Sequence, residues 1–297
     1  NRGERENYLA RIDANGKIIG EVSGIPDRIA STRDTTISFA IRLNSDGHIA
    51  PLENDTLSLY AYLPMNELRF KFPFYINADF IPKSDREGVQ SDNPWNHFIF
   101  YTIGKLIVSM VSKIASIDEP EYLNLLPTNE FQSSNQDTAA LVDAFNRGYK
   151  EALASENYII NDTKELVKSK DVIFDSSGLA KAIGAKAFYE LTATTKHLVH
   201  PNINSELLSK DIFNVEECTV DSALAIIKSN KDTINKWIKS TTDDLRHKFF
   251  GWVKQNKNTQ LLIPTIPAFM FGNEWKCLED ISIDKKLLIL TEKLIPI

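Results

Sequence analysis

Cysteine is scarce: Cys218 and Cys277 are the only two in 297 residues. They form neither a metal-binding nor a redox motif. The expectation is two buried free thiols in a reducing, cytoplasmic setting. Long apolar runs are also missing. The best, Phe98 to Ile114, is interrupted by Lys105, Ser109, Ser112 and Lys113. It falls short of the roughly 20 apolar residues that a membrane-spanning helix needs and reads as a core helix. The first six residues, Asn1 to Glu6, contain no apolar signal region and no initiator Met. A piece of a longer protein is the expected reading. Positive charge is in deficit, with 34 Lys and Arg against 40 Asp and Glu, a net charge of -6. Nucleic-acid binding needs a basic face, so it is not the expected main role.

Complete catalytic signatures are missing too. No phosphate-cradling loop of the G-x-x-x-x-G-K-[ST] type occurs. The stretch from Gly178 to Lys186 has the wrong spacing and no Ser or Thr after the lysine. No G-x-S-x-G elbow is found. His197 and His200 stand three apart without an obvious third ligand, so capping or surface histidines are expected in preference to zinc. Asp243 and Asp244 read as a solvated helix face.

What is present is ordinary globular composition, 42% hydrophobic and 25% charged. The length suits two domains or one large one. Thr35 to Leu43 alternates Ile37, Phe39, Ile41 and Leu43 with polar or small residues, the period of a half-buried strand. Asn44 to Gly47 is a turn cluster of hairpin type. Thr56 to Leu63 is a second alternating strand, ended by Pro64. Phe70 to Ile81 is a third, and Pro73 within it points to an edge position or a late start. Asn93 then predicts a helix N-cap and Pro94 a first helical residue. Trp95, Phe98, Ile99, Thr102, Leu106, Met110 and Ile114 follow at helical spacing, as far as Ser116. The stretch Ser116 to Pro120 closes the helix and is the candidate domain boundary.

The remainder is expected to be richer in helix. Predicted helices cover Asp137 to Ser155, Ser177 to Ile183, Ala185 to Thr192, a segment starting at Thr219, and Asp232 to Gln255. Tyr158 to Ile160 and Asp171 to Phe174 read as short strands around a polar turn. Short strands return from Leu261 to Ile297. A faint internal echo links Tyr158–Phe174 with Leu261–Leu290. Trp237, Trp252 and Trp275 are expected in the core and not around a ligand.

One stretch carries functional information. Leu63-Pro64 is followed by Phe72-Pro73-Phe74-Tyr75-Ile76-Asn77-Ala78-Asp79-Phe80-Ile81. Then come Lys83-Ser84-Asp85-Arg86-Glu87-Gly88-Val89-Gln90 and Trp95-Asn96. A strand delivers a polar loop holding an arginine, and a helix leaves it. A guanidinium is a permanently charged planar fork that suits a phosphate. An exposed arginine beside Asp85 and Glu87 also reads as a surface ion pair.

The stretch resembles the middle region of sacsin-like and ninety-kilodalton heat-shock-type ATPases of the GHKL superfamily. Sacsin-like proteins carry a leucine-proline strand end, an F-P-F-x-(I/V)-N-A-D-F strand, a Ser-x-Arg loop and a Trp-Asn helix start, in that order. The heat-shock chaperones carry Ser-Arg-Glu followed by Gln; here Asp85 separates Ser84 from Arg86. The resemblance is specific over about Leu57 to Ile114 and loose over 119–297. It implies that Arg86 contacts the γ-phosphate of ATP bound with Mg by an upstream domain, and that Gln90 assists. It implies structural positions for Asn77, Trp95 and Asn96, and loop-forming positions for Ser84 and Glu87. The family's nucleotide-binding motifs, Glu-x-x-x-Asn and Asp-x-Gly-x-Gly, are not in this sequence. The chain alone is therefore not expected to hydrolyse ATP or hold a cofactor.

The implied fold class is α/β (α+β). Residues 1–118 form a chaperone-middle-domain-like mixed sheet with a β-α-β core, and residues 119–297 a mainly helical region with small hairpins. Expected partners are the upstream ATP-binding domain and possible protein clients, with no membrane and no nucleic acid. Two other readings stand beside it: a non-catalytic scaffold or interaction module, and a subunit of a bacterial defence or nucleic-acid-processing ATPase.

Overall fold

The computed structural model describes residues 10–12, 18–21, 35–53, 56–65, 70–84, 88–133, 136–255, 257–260, 262–271 and 274–278. They form an α+β chain of short strands and eight α-helices. The chain divides into two compact units. Unit 1 comprises Asn1–Val172 and Val199–Val215; unit 2 comprises Ile173–Leu198 and Glu216–Ile297. This differs from the boundary expected near residue 119, which falls inside unit 1. Pro120 ends a helix, but the residues after it stay in the same core.

In unit 1, β1 (Ala10–Ile12) and β2 (Ile18–Glu21) pair antiparallel. The main sheet contains β3 (Ile37–Ala40), β4 (Leu59–Ala61), β5 (Leu63–Pro64) and β6 (Tyr75–Ala78), in the order β3-β6-β4-β5. β6 is antiparallel to β3 and parallel to β4, so the sheet is mixed. β6 is central, and Pro73 precedes it: the third predicted strand starts late and is not an edge. Its Ile76 and Ala78 are buried while Tyr75 and Asn77 are half-buried, the alternation that a sheet with one covered face imposes. The Asn44–Gly47 turn closes a local hairpin, with Asn44 N–H donating to His48 O at 2.8 Å and Ala50 N–H to Arg42 O at 2.9 Å. Gly47 has φ +85°, a conformation that glycine adopts without steric cost. Asn44 Oδ1 accepts from the Asp46 and His48 N–H groups.

Helix α1 (Pro94–Ile114) begins as its chemistry predicts: Asn93 Oδ1 accepts from Trp95 N–H, and Pro94 needs no donor partner. By length and composition α1 is apolar enough to cross a membrane. Here it packs along α2 (Gln136–Ser155) as part of the core. The two backbones approach so closely that only glycine fits at two positions. A methyl group on Gly104 would collide with the Phe145 carbonyl, and one on Gly148 with the Tyr101 carbonyl. Around this crossing Phe70, Phe72, Phe100, Phe131 and Phe145 form an aromatic cluster, with ring centroids 4.8 Å apart for Phe70–Phe100 and 5.2 Å for Phe72–Phe145. Edge and tilted contacts of this kind add to area burial.

After a one-turn helix at Tyr122–Leu125, the Tyr122 hydroxyl donates to Tyr158 O and accepts from Ile160 N–H. β7 (Ile159–Ile160) pairs antiparallel with β8 (Leu166–Val167). The partner of Tyr158–Ile160 is thus 166–167 and not 171–174. Asn161 explains the turn: its Oδ1 accepts from the N–H groups of Thr163 and Glu165. Residues 199–215 then return to unit 1 and bury Ile203, Leu208 and Phe213 in the same core.

In unit 2, β9 (Val172–Phe174) pairs in parallel with β11 (Glu216–Glu217) through Ile173 and Phe174, in a sheet ordered β10-β9-β11 with β10 at His197–Leu198. The Asp175 carboxylate accepts from the N–H groups of Ser177 and Ala180, which starts α3 (Leu179–Ile183). Burial holds the Asp175 carboxyl above the usual aspartate range, against the lowering effect of these hydrogen bonds. α4 (Ala185–Thr192) matches its predicted span. α5 (Val220–Ser229) is capped by Thr219, whose Oγ1 accepts from Ser222 N–H at 3.2 Å. The predicted helix over 232–255 is instead two, α6 (Lys231–Ser240) and α7 (Asp243–Gln255). Arg246 explains the break. Its Nε donates to Ile238 O at 2.9 Å and its Nη2 to Thr241 O at 2.8 Å, so the carbonyls left open at the end of α6 are closed by a side chain.

α8 (Lys257–Gln260) leads into the hairpin of β12 (Pro267–Phe271) and β13 (Glu274–Cys277), antiparallel. Predicted strands beyond Leu278, and the second arm of the internal echo with them, lie outside the described residues. Trp237 and Trp252 are buried as expected. Trp275 is half-buried, with the Arg246 guanidinium 4.4 Å from its ring centre. Cys218 and Cys277 are free and buried.

Candidate functional site

The loop between β6 and α1 is built from its base outward. At the end of β6, Trp95 Nε1 donates to Asp79 O at 2.7 Å. Asn96 is fully buried and is the hub: its Oδ1 accepts from Ile81 N–H at 2.9 Å, while its Nδ2 donates to Ile81 O at 2.9 Å and to Gln90 O at 2.8 Å. One amide therefore pairs the Ile81 N–H and adds a second donor to the Ile81 and Gln90 carbonyls. Burying that N–H unpaired would be costly. Two consecutive side chains of the first turn of α1 thus clamp the strand end and the far side of the loop together.

Above the clamp, the loop strands pair. Gln90 N–H donates to Ile81 O at 3.0 Å, and Lys83 N–H donates to Gly88 O at 2.8 Å. Pro82 and Val89 form an antiparallel bridge, with Val89 buried. Gln90 is half-buried, and its Nε2 donates to Pro82 O at 3.1 Å. His97 Nε2 contacts Ser91 O, which ties the loop exit to α1. Arg86 lies outside the described residues, as do Asp85 and Glu87. Of their flanks, Gly88 belongs to this paired base through its carbonyl, which accepts from Lys83 N–H.

Neighbouring contacts hold the sheet beneath. Asn77 Oδ1 accepts from Tyr62 N–H at 3.1 Å, and Thr35 Oγ1 donates to Asp79 Oδ2 at 3.0 Å. Tyr62 has φ +66°, which costs energy for a residue with a Cβ; the Asn77 bond helps hold it. The local hairpin is tied down by Glu119, whose carboxylate contacts His48 Nδ1 at 3.0 Å and accepts from Ile49 N–H at 3.2 Å. The Ile49 N–H, and after it His48, hold the Glu119 carboxyl below the usual glutamate range.

The positions singled out in the sequence therefore divide. Asn77, Trp95 and Asn96 are joined to the strand and loop by hydrogen bonds. Gln90 is brought to the loop base, with its amide nitrogen engaged. Ser84 is exposed. The resemblance implied a structural position for Asn96, and its bonds to Ile81 and Gln90 are what the structure adds. His200 is buried, and its Nδ1 accepts from Asn202 N–H at 3.2 Å, a turn contact. Among the described residues no group of three His, Cys, Asp or Glu side chains is placed to hold a metal ion. Unit 1 also has a concavity of about 1000 Å³ bordered by Lys150, Lys170, Lys210 and Phe213, and no described residue of 83–90 lines it.

Comparison with protein-family models, curated proteins and solved structures returned no match.

Proposed function

We propose that this chain is the region downstream of the nucleotide-binding domain in a sacsin-like chaperone-type ATPase, and that its 83–90 loop carries Arg86 to the γ-phosphate of ATP held by that upstream domain. The observation that supports this is the braced loop. Asn96 and Trp95 tie the described stretches on either side of residues 85–87 to one helix start. A preorganised cation facing developing phosphoryl charge accelerates transfer far more than a mobile one, because little reorganisation is left for the reacting state. Gln90 serves the same site at the loop base. The mixed sheet of β3 to β6 followed by α1 is the counterpart of the chaperone middle domain and its β-α-β core. ATP and its magnesium belong to the parent protein, and this chain contributes only the loop. A cytoplasmic protein whose remaining surface receives clients or partners completes the reading.

One observation favours a second reading, in which the loop is a vestige on a scaffold: the Gln90 amide nitrogen is already spent on Pro82 O. Arg86→Ala in the parent protein separates the two. If the arginine acts on the phosphate, ATP hydrolysis falls by about a thousandfold while ATP binding, measured by nucleotide titration, is kept. An unchanged hydrolysis rate sinks the phosphate role and leaves the scaffold.

A further inference from the structure

Unit 2 contains a cavity of about 500 Å³ between α7 and the β12–β13 hairpin, a size in the range of small-molecule sites. Its walls are apolar and aromatic: Phe250 and Val253 from α7, Ile263, and Phe269 and Trp275 from the hairpin.

Two features distinguish it from a packing fault. The first is Gly251. His247, Phe250, Gly251 and Lys254 stand at i, i+3, i+4 and i+7 of α7, one stripe facing the cavity. A glycine inside a helix lowers its stability against alanine and is retained where something must approach the backbone. Gly104 and Gly148 have that reason, each facing another helix. Among the described residues Gly251 has no such neighbour: nothing lies within 4 Å of where its Cβ would be, and the residue is exposed. The space in front of it is the cavity.

The second feature is charge. Arg246 is neutralised by Asp243, donates to two backbone carbonyls and covers one face of Trp275. Lys254, on the same rim, has no carboxylate partner among the described residues. The cavity thus offers an apolar, aromatic-lined interior, one ring fixed in place, and at its edge a cation without a carboxylate partner among the described residues.

We propose that this cavity binds a small aromatic carboxylate, with its ring against Phe250, Phe269 and Trp275, its edge over Gly251 and its carboxylate at Lys254. The inference rests on unit 2 alone and is independent of the role of Arg86.

The test is calorimetric titration of the whole chain with 2-naphthoate and with its neutral analogue 2-naphthylmethanol. Saturable one-site binding of naphthoate is expected, with naphthylmethanol weaker by about fivefold, the scale of one exposed ion pair. Lys254→Gln should remove that difference between the two ligands. Gly251→Leu should abolish binding of both while circular dichroism and melting show a folded chain. Absence of saturable naphthoate binding by the unsubstituted chain overturns the proposal, as does undiminished binding in folded Gly251→Leu. Should Gly251→Leu not fold, the ligand ratio in Lys254→Gln decides: a ratio unchanged from the unsubstituted chain overturns the carboxylate assignment.

Discussion

Asn96 shows how one residue sets the geometry of a site without touching a ligand. Its amide serves two sides of the loop at once, because its end carries an acceptor oxygen and a nitrogen with two hydrogens to donate. Asn96→Ala leaves the Ile81 N–H to find a new partner in a buried place and takes one of two donors from each of the Ile81 and Gln90 carbonyls. The expected loss is about 2–4 kcal/mol, read from the shift in urea midpoint. Glu119 makes a prediction of opposite visibility. Its carboxyl is held below the usual 4.5 by the Ile49 N–H and then by His48. The folded state therefore binds this proton less readily than the unfolded one. The stabilisation is fully present above about pH 4.5 and is lost as pH falls through the lowered value. Glu119→Gln should lower stability near neutrality and leave it almost unchanged near pH 3, where the carboxyl is protonated in any case, so the acid limb of the stability–pH curve flattens, as followed by thermal melting between pH 3 and 7.

At the scale of elements, the α1–α2 crossing depends on two glycines. Gly148→Ala places a methyl group against the Tyr101 carbonyl of a helix that cannot retreat from the aromatic cluster around it. A loss of about 3 kcal/mol is expected, measured by chemical denaturation. Gly251→Ala, with open space before it, should be neutral or stabilising in the same assay. This contrast also marks what the sequence made legible. The start of α1 was readable because Asn93 and Pro94 act within one turn of themselves. The division between α6 and α7 was not, because Ser240-Thr241-Thr242 contains no glycine or proline and the apolar spacing continues across it. The break is made by Arg246, six residues further on, through contacts that no local pattern announces. The closing partner of β7 was misplaced for a similar reason: Asn161 turns the chain earlier than the polar composition of 161–171 suggests. The start of the stretch after β6 was readable as polar, whereas its fastening to α1 rests on buried hydrogen bonds of Asn96 to Ile81 and Gln90 that composition does not reveal.

At the scale of the molecule, the proline and acidic residues near 119 suggested a boundary that the core ignores. Tyr122, Phe145, Tyr158 and Phe213 lie with the sheet and α1 in one hydrophobic cluster, and such long-range burial is invisible to a reading by segments. The chain passes from unit 1 to unit 2 and back before its final passage. A truncation after Val172 removes Ile203, Leu208 and Phe213 from the unit 1 core. At about 2 kcal/mol for each buried side chain, the loss is comparable with the whole stability of a domain. The truncated chain should show no cooperative melting, whereas one ending after Val215 should regain a transition.

The same threading has a consequence during synthesis. The piece that completes unit 1 leaves the ribosome only after residues 173–198, which belong to the other unit, have already emerged. At roughly 5–20 residues per second, the apolar seat for Ile203, Leu208 and Phe213 stays open for some seconds on every nascent chain. A protein proposed to assist the folding of others thus begins as a chain in need of the same shelter.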